Sequence, residues 1–135
     1  MATVSSAGEL PLKSPQDVVL GRQAVRRLAQ QQGFSLVDQT KLVTAASELA
    51  RNALIYGGGG ELKWEKLVDG AKRGVRLVFE DHGPGIANIE QAMTDGWTSG
   101  NGLGLGLTGA RRLVNEFELQ STVGVGTRVT IARWK

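Results

Sequence analysis

The 135-residue sequence predicts an α+β two-layer sandwich: a mostly antiparallel (mixed) sheet with helices packed on one face. Three observations carry this. Two capped helical patterns fill the first half, between a weakly alternating start and a run of four glycines. Two alternating, strand-like segments then follow each other across a short charged turn. One more helical stretch precedes a final pair of strand-like segments, and nowhere do strands and helices alternate as a doubly wound sheet requires.

Each element has a local reason. Residues before about Ser14 alternate weakly and suit an edge strand. Ser14, Pro15 and Asp17 supply an N-cap, a proline at the first helical position and an acid in the first turn. Val18, Ala24, Val25, Leu28 and Ala29 continue that helix towards Gly33. Ser35 followed by Asp38 repeats the capping pattern, and Val37, Leu42, Ala45, Ala46, Leu49 and Ala53 give the second helix, Leu36 to about Tyr56, an apolar side. Gly57 to Gly60 end it.

Leu62–Val68 and Val75–Glu80 read as a hairpin around Asp69–Gly74, with Val75, Leu77 and Phe79 alternating against Arg76, Val78 and Glu80. A short helical turn is expected over Ile89–Met93, and Thr94–Gly102 has the composition of a loop. A helix is expected from about Leu105 to Phe117, with Ala110, Leu113, Val114 and Phe117 on one side. Glu118–Thr122 and Thr127–Trp134 close the chain as a hairpin about Val123–Gly126. Length and the lack of a linker make this one domain, residues 1–135.

Composition narrows the chemistry. Cysteine is absent, which excludes thiol catalysis, disulfide scaffolds and cysteine-ligated metals. One histidine, His82, excludes sites that need two. Sixteen Lys and Arg against 13 Asp and Glu, a net charge of +3, is too mild for a nucleic-acid binder. There is no apolar run long enough for a membrane span and no secretion signal, so a cytoplasmic protein is expected. The outlier is glycine, 19 residues, about twice the usual share. Ten of them fall between Gly83 and Gly126. Many tight turns would explain this, and so would backbone lying close to a ligand.

Four patterns could carry chemistry. Glu48 and Asn52 are one helical turn apart and share a face. They are either a solvated pair, or an amide oxygen for magnesium beside a carboxylate that handles a proton or orients a water. Asp81-His82-Gly83-Pro84-Gly85 follows a strand; it is either a charged turn or a carboxylate placed to accept from an adenine amino group. Gly102, Gly104 and Gly106, spaced by leucines ahead of a helix, form a flexible loop or a cradle of backbone amides for phosphates. Neither a P-loop nor a dinucleotide fingerprint fits that spacing. Gly124-Val125-Gly126-Thr127 is a hairpin turn whose threonine hydroxyl could support Asp81, directly or through water.

In this order, the four patterns resemble the N box and three glycine boxes of the GHKL ATPase/kinase superfamily. Within it the chain looks like the small RsbT-type serine/threonine kinases of bacterial stressosomes. Ala45-Ala46-Ser47-Glu48-Leu49-Ala50-Arg51-Asn52, Glu80 to Ile86 and Leu103 to Leu107 carry the likeness, with Asp95 to Gly100 and the closing Arg133-Trp134. The resemblance implies the Bergerat ATP-binding fold, with ATP and Mg2+ as ligands. It makes Asn52 the magnesium ligand and Glu48 the candidate general base. Asp81 would take the adenine amino group, Gly83 and Gly85 would shape the pocket floor, and Thr127 would support the base. Gly102, Gly104 and Gly106 would wrap the phosphates, under a lid from about Asn88 to Asn101. His82 falls at a variable position and is read as a loop residue. Arg51 faces another side of the helix and suits a structural salt bridge at least as well.

The implied activity is transfer of the ATP γ-phosphoryl group to a serine or threonine of STAS-domain stressosome proteins. The released kinase would then activate a PP2C-type phosphatase as a partner-switching protein. An anti-sigma-factor kinase that binds a sigma factor shares fold, boxes and length. Sensor histidine kinases and gyrase-, Hsp90- or MutL-like ATPases need further domains, which 135 residues leave no room for. A nucleotide-gated binding module without turnover would not need both Glu48 and Asn52.

Overall fold

The computed structural model describes residues 1–94 and 103–135. Along the chain run β1 (Thr3–Leu12), α1 (Pro15–Gln31), α2 (Leu36–Ile55), β2 (Gly60–Asp69), β3 (Lys72–Asp81), α3 (Ile89–Ala92), α4 (Leu103–Arg112), β4 (Glu116–Thr122) and β5 (Gly126–Trp134). The strands form one sheet in the order β1-β2-β3-β5-β4, and every neighbouring pair is antiparallel. The expected α+β sandwich is what is found.

Both long helices start where their caps dictate. The Asp17 N–H donates to Ser14 Oγ (3.2 Å) while the Asp17 carboxylate accepts from the Lys13 N–H (2.8 Å). These two bonds satisfy one of the helix's free amides and fix the entry of the chain. At α2 the Asp38 N–H donates to Ser35 Oγ, also at 3.2 Å. The β2–β3 turn is tighter than the sequence suggested: the strands extend through Asp69 and Lys72, leaving only Gly70 and Ala71. Gly70 takes the left-handed conformation (φ 61°) that such a turn needs.

The core lies between the helices and one sheet face. Val75, Leu77 and Phe79 are buried, as their alternation requires, and Phe79 and Leu77 stand opposite Val129 and Ile131 of β5. Leu42, Ala45, Ala46, Leu49 and Ala53 of α2 close against them. The alanines matter because small side chains let α2 approach the sheet closely. The other face carries ion pairs, Arg76–Glu65 at 2.9 Å and Lys63–Glu80 at 3.4 Å, as a face left to solvent should.

One element departs from expectation. The third long helix ends at Arg112, so Leu113 and Val114 lie in a turn and Phe117 on β4. The cause is a clamp. Arg133 Nη1 donates to the Leu113 carbonyl (2.8 Å) and Nη2 pairs with Asp38 (2.7 Å), while the Trp134 N–H donates to Asn115 Oδ1 (2.7 Å). The end of β5 thereby captures the residues just past α4 and turns them into the sheet. The helix also begins earlier than expected, at Leu103, which puts Gly104 and Gly106 inside it. Of the expected lid, Asn88–Thr94 contains α3, capped by Asn88; its remainder, including Trp97, lies outside the described residues.

The Arg133 guanidinium beside Asp38 holds that carboxyl below the ordinary aspartate value. A depressed folded pKa contributes stability that is present above the unfolded value, about 3.9, and lost as pH falls through the lower folded value. Arg133→Ala should therefore lower stability at pH 7 by about 1–2 kcal/mol, since both partners keep some solvent contact. It should also flatten the stability curve below about pH 4. Urea denaturation across pH checks both; an unchanged acid limb would show that the pair does not contribute.

Candidate functional site

The site is assembled where α2 ends and β3 and β5 meet. On α2, Glu48 and Asn52 face α4 one turn apart, and Gly106 sits against them. A Cβ at Gly106 would lie 3.0 Å from Asn52 Nδ2 and 3.1 Å from Glu48 Oε2. Asn52 Nδ2 is buried and has no hydrogen-bond partner among the described residues. Such an amide is an open valence, satisfied when a polar ligand arrives.

Asp81 is the last residue of β3, opposite Gly60 on β2 and Thr127 on β5. Its Oδ1 accepts from the Gly83 N–H at 2.9 Å. Burial pushes the carboxyl above the ordinary aspartate value; the Gly83 and Thr127 backbone N–H groups, and after them nearby His82, offset this only partly. Asp81 is thus held by fixed dipoles and not by a cation. The Thr127 hydroxyl, expected to support Asp81 directly or through water, has its hydrogen bond elsewhere. It lies 2.8 Å from Ser121 Oγ, and the backbone of Thr127 supports the carboxylate.

Between these groups opens a cleft of about 50 Å³, small beside the roughly 300–1,000 Å³ of ordinary small-molecule sites. Leu49, Phe79, Ile86, Leu107 and Val129 give it apolar walls, and Asn52, Asp81 and Thr127 give it polar points. Apolar walls with a carboxylate among the polar points suit a largely apolar ligand that carries an N–H.

Of the residues singled out in the sequence, Asn52, Asp81, Gly85 and Thr127 line this cleft. Glu48 adjoins Asn52 at Gly106. Gly83 packs on the backbone of Gly57, directly beneath Asp81. Gly104 lies in the first turn of α4, and Gly102 is outside the described residues. His82 and Arg51 are both exposed.

Two contributors were missed. Gly57, read only as a helix stop, is where any Cβ would strike the Asp81 carboxyl. Ser121 accepts the Ile86 N–H (2.7 Å) and meets Thr127. The glycine run was a visible signal for the first; nothing in the sequence marks the second, because its partners are set by hairpin register.

Asn52 Oδ1 is an oxygen donor of the kind magnesium takes. Among the described residues no group of three or more His, Asp or Glu could hold a metal alone. A divalent ion here would rest on Asn52 with oxygens from a ligand and water, which is how magnesium is commonly held beside phosphates. Of the Asn52 amide, only Oδ1 could bind the ion; the unpartnered Nδ2 is a donor and suits an acceptor such as a phosphate oxygen. Among the described residues no helix is long and apolar enough to cross a membrane.

Known proteins agree with this architecture. A crystal structure of the RsbU and RsbW domains of a Mycobacterium tuberculosis protein superposes with a TM-score of 0.64 at 19% identity, covering 96% of this chain and 32% of that one. The histidine kinase domain of a blue-light-activated kinase from Erythrobacter litoralis gives 0.56 at 19%, covering 91% and 60%. At such identity these likenesses speak for the fold alone, and the chain spans about a third and three-fifths of those two structures. In sequence the chain is 44% identical over 118 residues to serine/threonine-protein kinase RsbT of Bacillus subtilis (87% of this chain, 89% of the relative). It is 30% identical over 129 residues to anti-sigma F factor of Clostridium novyi (90% and 89%). The expected enzyme class, a protein-serine/threonine kinase, agrees with the first of these relatives. Residues 37–135 match the family model described as histidine kinase-, DNA gyrase B-, and HSP90-like ATPase, and with that match and the RsbT likeness the chain belongs to this ATPase family, the GHKL superfamily.

Proposed function

We propose that residues 1–135 act as one kinase domain, binding magnesium–ATP in the cleft and transferring the γ-phosphoryl group to a serine or threonine of a STAS-domain stressosome protein. The single observation that carries this reading is the pairing of Glu48 with the orphan amide of Asn52 at Gly106, beside a cleft with a half-buried carboxylate among its polar groups. In this reading the base meets Asp81, and the phosphates approach Asn52 and the first turns of α4, where Gly104 and Gly106 wrap them together with Gly102, which lies outside the described residues.

Magnesium on the Asn52 amide oxygen would neutralise phosphate charge and align the γ-group. The protein's own part is positioning. A hydroxyl oxygen of the substrate bonds to the γ-phosphorus, the bond to the bridging oxygen breaks, and ADP leaves. Glu48 orients the hydroxyl and takes its proton late in the transfer, because a carboxylate is too weak a base to ionise an alcohol beforehand. Thr127 and Ile86 hold the base, with Gly83 and Gly85 as the floor beneath Asp81.

The partners follow from the likeness to RsbT: the released kinase activates a PP2C-type phosphatase, in the cytoplasm and without a nucleic-acid partner. The 30% identity to an anti-sigma F factor favours one second reading, an anti-sigma kinase with the same chemistry and a sigma factor as partner. Sigma-factor binding, measured with and without ATP, separates the two.

Incubation with magnesium–ATP and a panel of STAS-domain proteins, followed by intact mass, should give one phosphoryl group on a STAS protein. Glu48→Ala should cut transfer by about 100-fold or more while changing ATP affinity less than about threefold. ATP binding without transfer to any partner would move the chain to a nucleotide-gated binding module.

Asp81 makes a separate prediction. Its ionised form is the better acceptor, and its raised pKa means that ATP affinity, full at neutral pH, declines on acidification at a higher pH than an ordinary aspartate, about 3.9, would impose. In the free protein the sign is opposite. A raised folded pKa favours the protonated native state, so that contribution to stability is lost as pH rises through the folded value. Asp81→Asn should weaken ATP by about tenfold or more at pH 7, measured by calorimetry. Parental affinity in that variant would remove Asp81 from the base site.

A further inference from the structure

Ser121 does not itself line the cleft, yet it sits at the junction of three bonds, two of them to residues that do. Its Oγ accepts the Ile86 N–H at 2.7 Å, donates to the Gly126 carbonyl at 3.2 Å, and lies 2.8 Å from Thr127 Oγ1. A serine hydroxyl has one proton and two lone pairs. The Gly126 carbonyl takes the proton and the Ile86 amide takes one lone pair. Only a lone pair remains for Thr127, so in the arrangement that makes all three bonds Thr127 must be the donor. Its own proton is then committed to Ser121, so Thr127 Oγ1 keeps only lone pairs for a ligand in the cleft that Thr127 lines.

From this we infer that Ser121 is a positioning residue for base selection, fixing Thr127 as a pure acceptor beside the acceptor Asp81. This rests on the reading of the cleft as a nucleotide site. Two neighbouring acceptors favour a purine with an amino group at its six-position and oppose one with a carbonyl there, because a carbonyl oxygen would face lone pairs and a carboxylate with no proton between them. If the Thr127 proton were free, the threonine could rotate and donate to that carbonyl. Ser121 therefore acts through proton bookkeeping in a hairpin, without contacting the ligand. The same hydroxyl also satisfies the Ile86 amide, which anchors the loop after Asp81 to β4.

The test compares ATP and GTP binding, by calorimetry with magnesium and no protein substrate, in the parent, Ser121→Ala, Ser121→Cys and Ser121→Thr. The parent should prefer ATP strongly. Ser121→Ala should lower the ATP-to-GTP affinity ratio by about tenfold, the worth of one redirected hydrogen bond. Ser121→Cys, close in volume and a poor hydrogen-bonding group, should do the same and covers the case in which the alanine variant does not fold. Ser121→Thr keeps a hydroxyl and should restore the ratio. Melting curves of the free proteins establish that each is folded. Equal weakening of both nucleotides, with the ratio kept, would reduce Ser121 to a structural role and overturn the inference. So would a parent that binds GTP as well as ATP. A parent that binds neither nucleotide would overturn the reading of the cleft itself, a result distinct from the other two.

Discussion

The site depends on the absence of side chains around one carboxylate. A Cβ at Gly57 would strike the Asp81 carboxyl, one at Gly60 the Glu80 carbonyl, one at Gly126 the Asp81 carbonyl, and one at Gly83 the backbone of Gly57. Four stretches of main chain, from the end of α2, the start of β2, the loop after β3 and the start of β5, thus converge within van der Waals distance of Asp81. No other residue type permits that convergence. The high glycine content is therefore a packing requirement at one end of the sheet, and only secondarily a matter of turns. Gly126, at φ 147°, meets both demands at once.

The same convergence explains the electrostatics. With backbone crowded against it, Asp81 is half-shielded from water and is compensated mainly by two amide dipoles. Burial wins, and the carboxyl stays harder to ionise than a free aspartate. A lysine or arginine here would have stabilised the charge more fully, at the loss of a carboxylate available to a ligand's N–H. The free protein retains an unspent acceptor at Asp81 and an unspent amide at Asn52, both lining one cleft. Such unfinished polar groups mark a binding site more surely than concavity does.

Much of this was legible because the signals were local. Ser14 and Ser35 announced α1 and α2, and the alternation through Val75, Leu77 and Phe79 gave the buried face of β3. The Glu48–Asn52 spacing placed two polar groups on one helix face, and Asp81 was recognisable from the glycines after a strand. What stayed hidden was set by distant partners. Arg133 reaches Asp38, 95 residues away in sequence, and its capture of Leu113 ends α4 where apolar periodicity continued to Phe117. Ser121 and Thr127 meet only because of the register of a hairpin. The threonine was expected to serve Asp81 through its hydroxyl, directly or through water, and strand pairing adds support from its backbone.

Helix α4 shows how the two halves of the site constrain each other. Three of its ten residues, Gly104, Gly106 and Gly109, each cost about 1 kcal/mol of helix propensity relative to alanine, and ten residues are too few to hold a helix alone in water. The helix persists because Leu107 and Ala110 are buried in the common core and α4 packs on α2. Alanine at position 106 would favour the helix and bring a methyl group to 3.0 Å from the Asn52 amide and 3.1 Å from the Glu48 carboxylate. One of those side chains would have to yield, and their placement relative to each other would change with it. The weakness of α4 as a helix is thus the condition for its closeness to Glu48 and Asn52, and the two cannot be improved together.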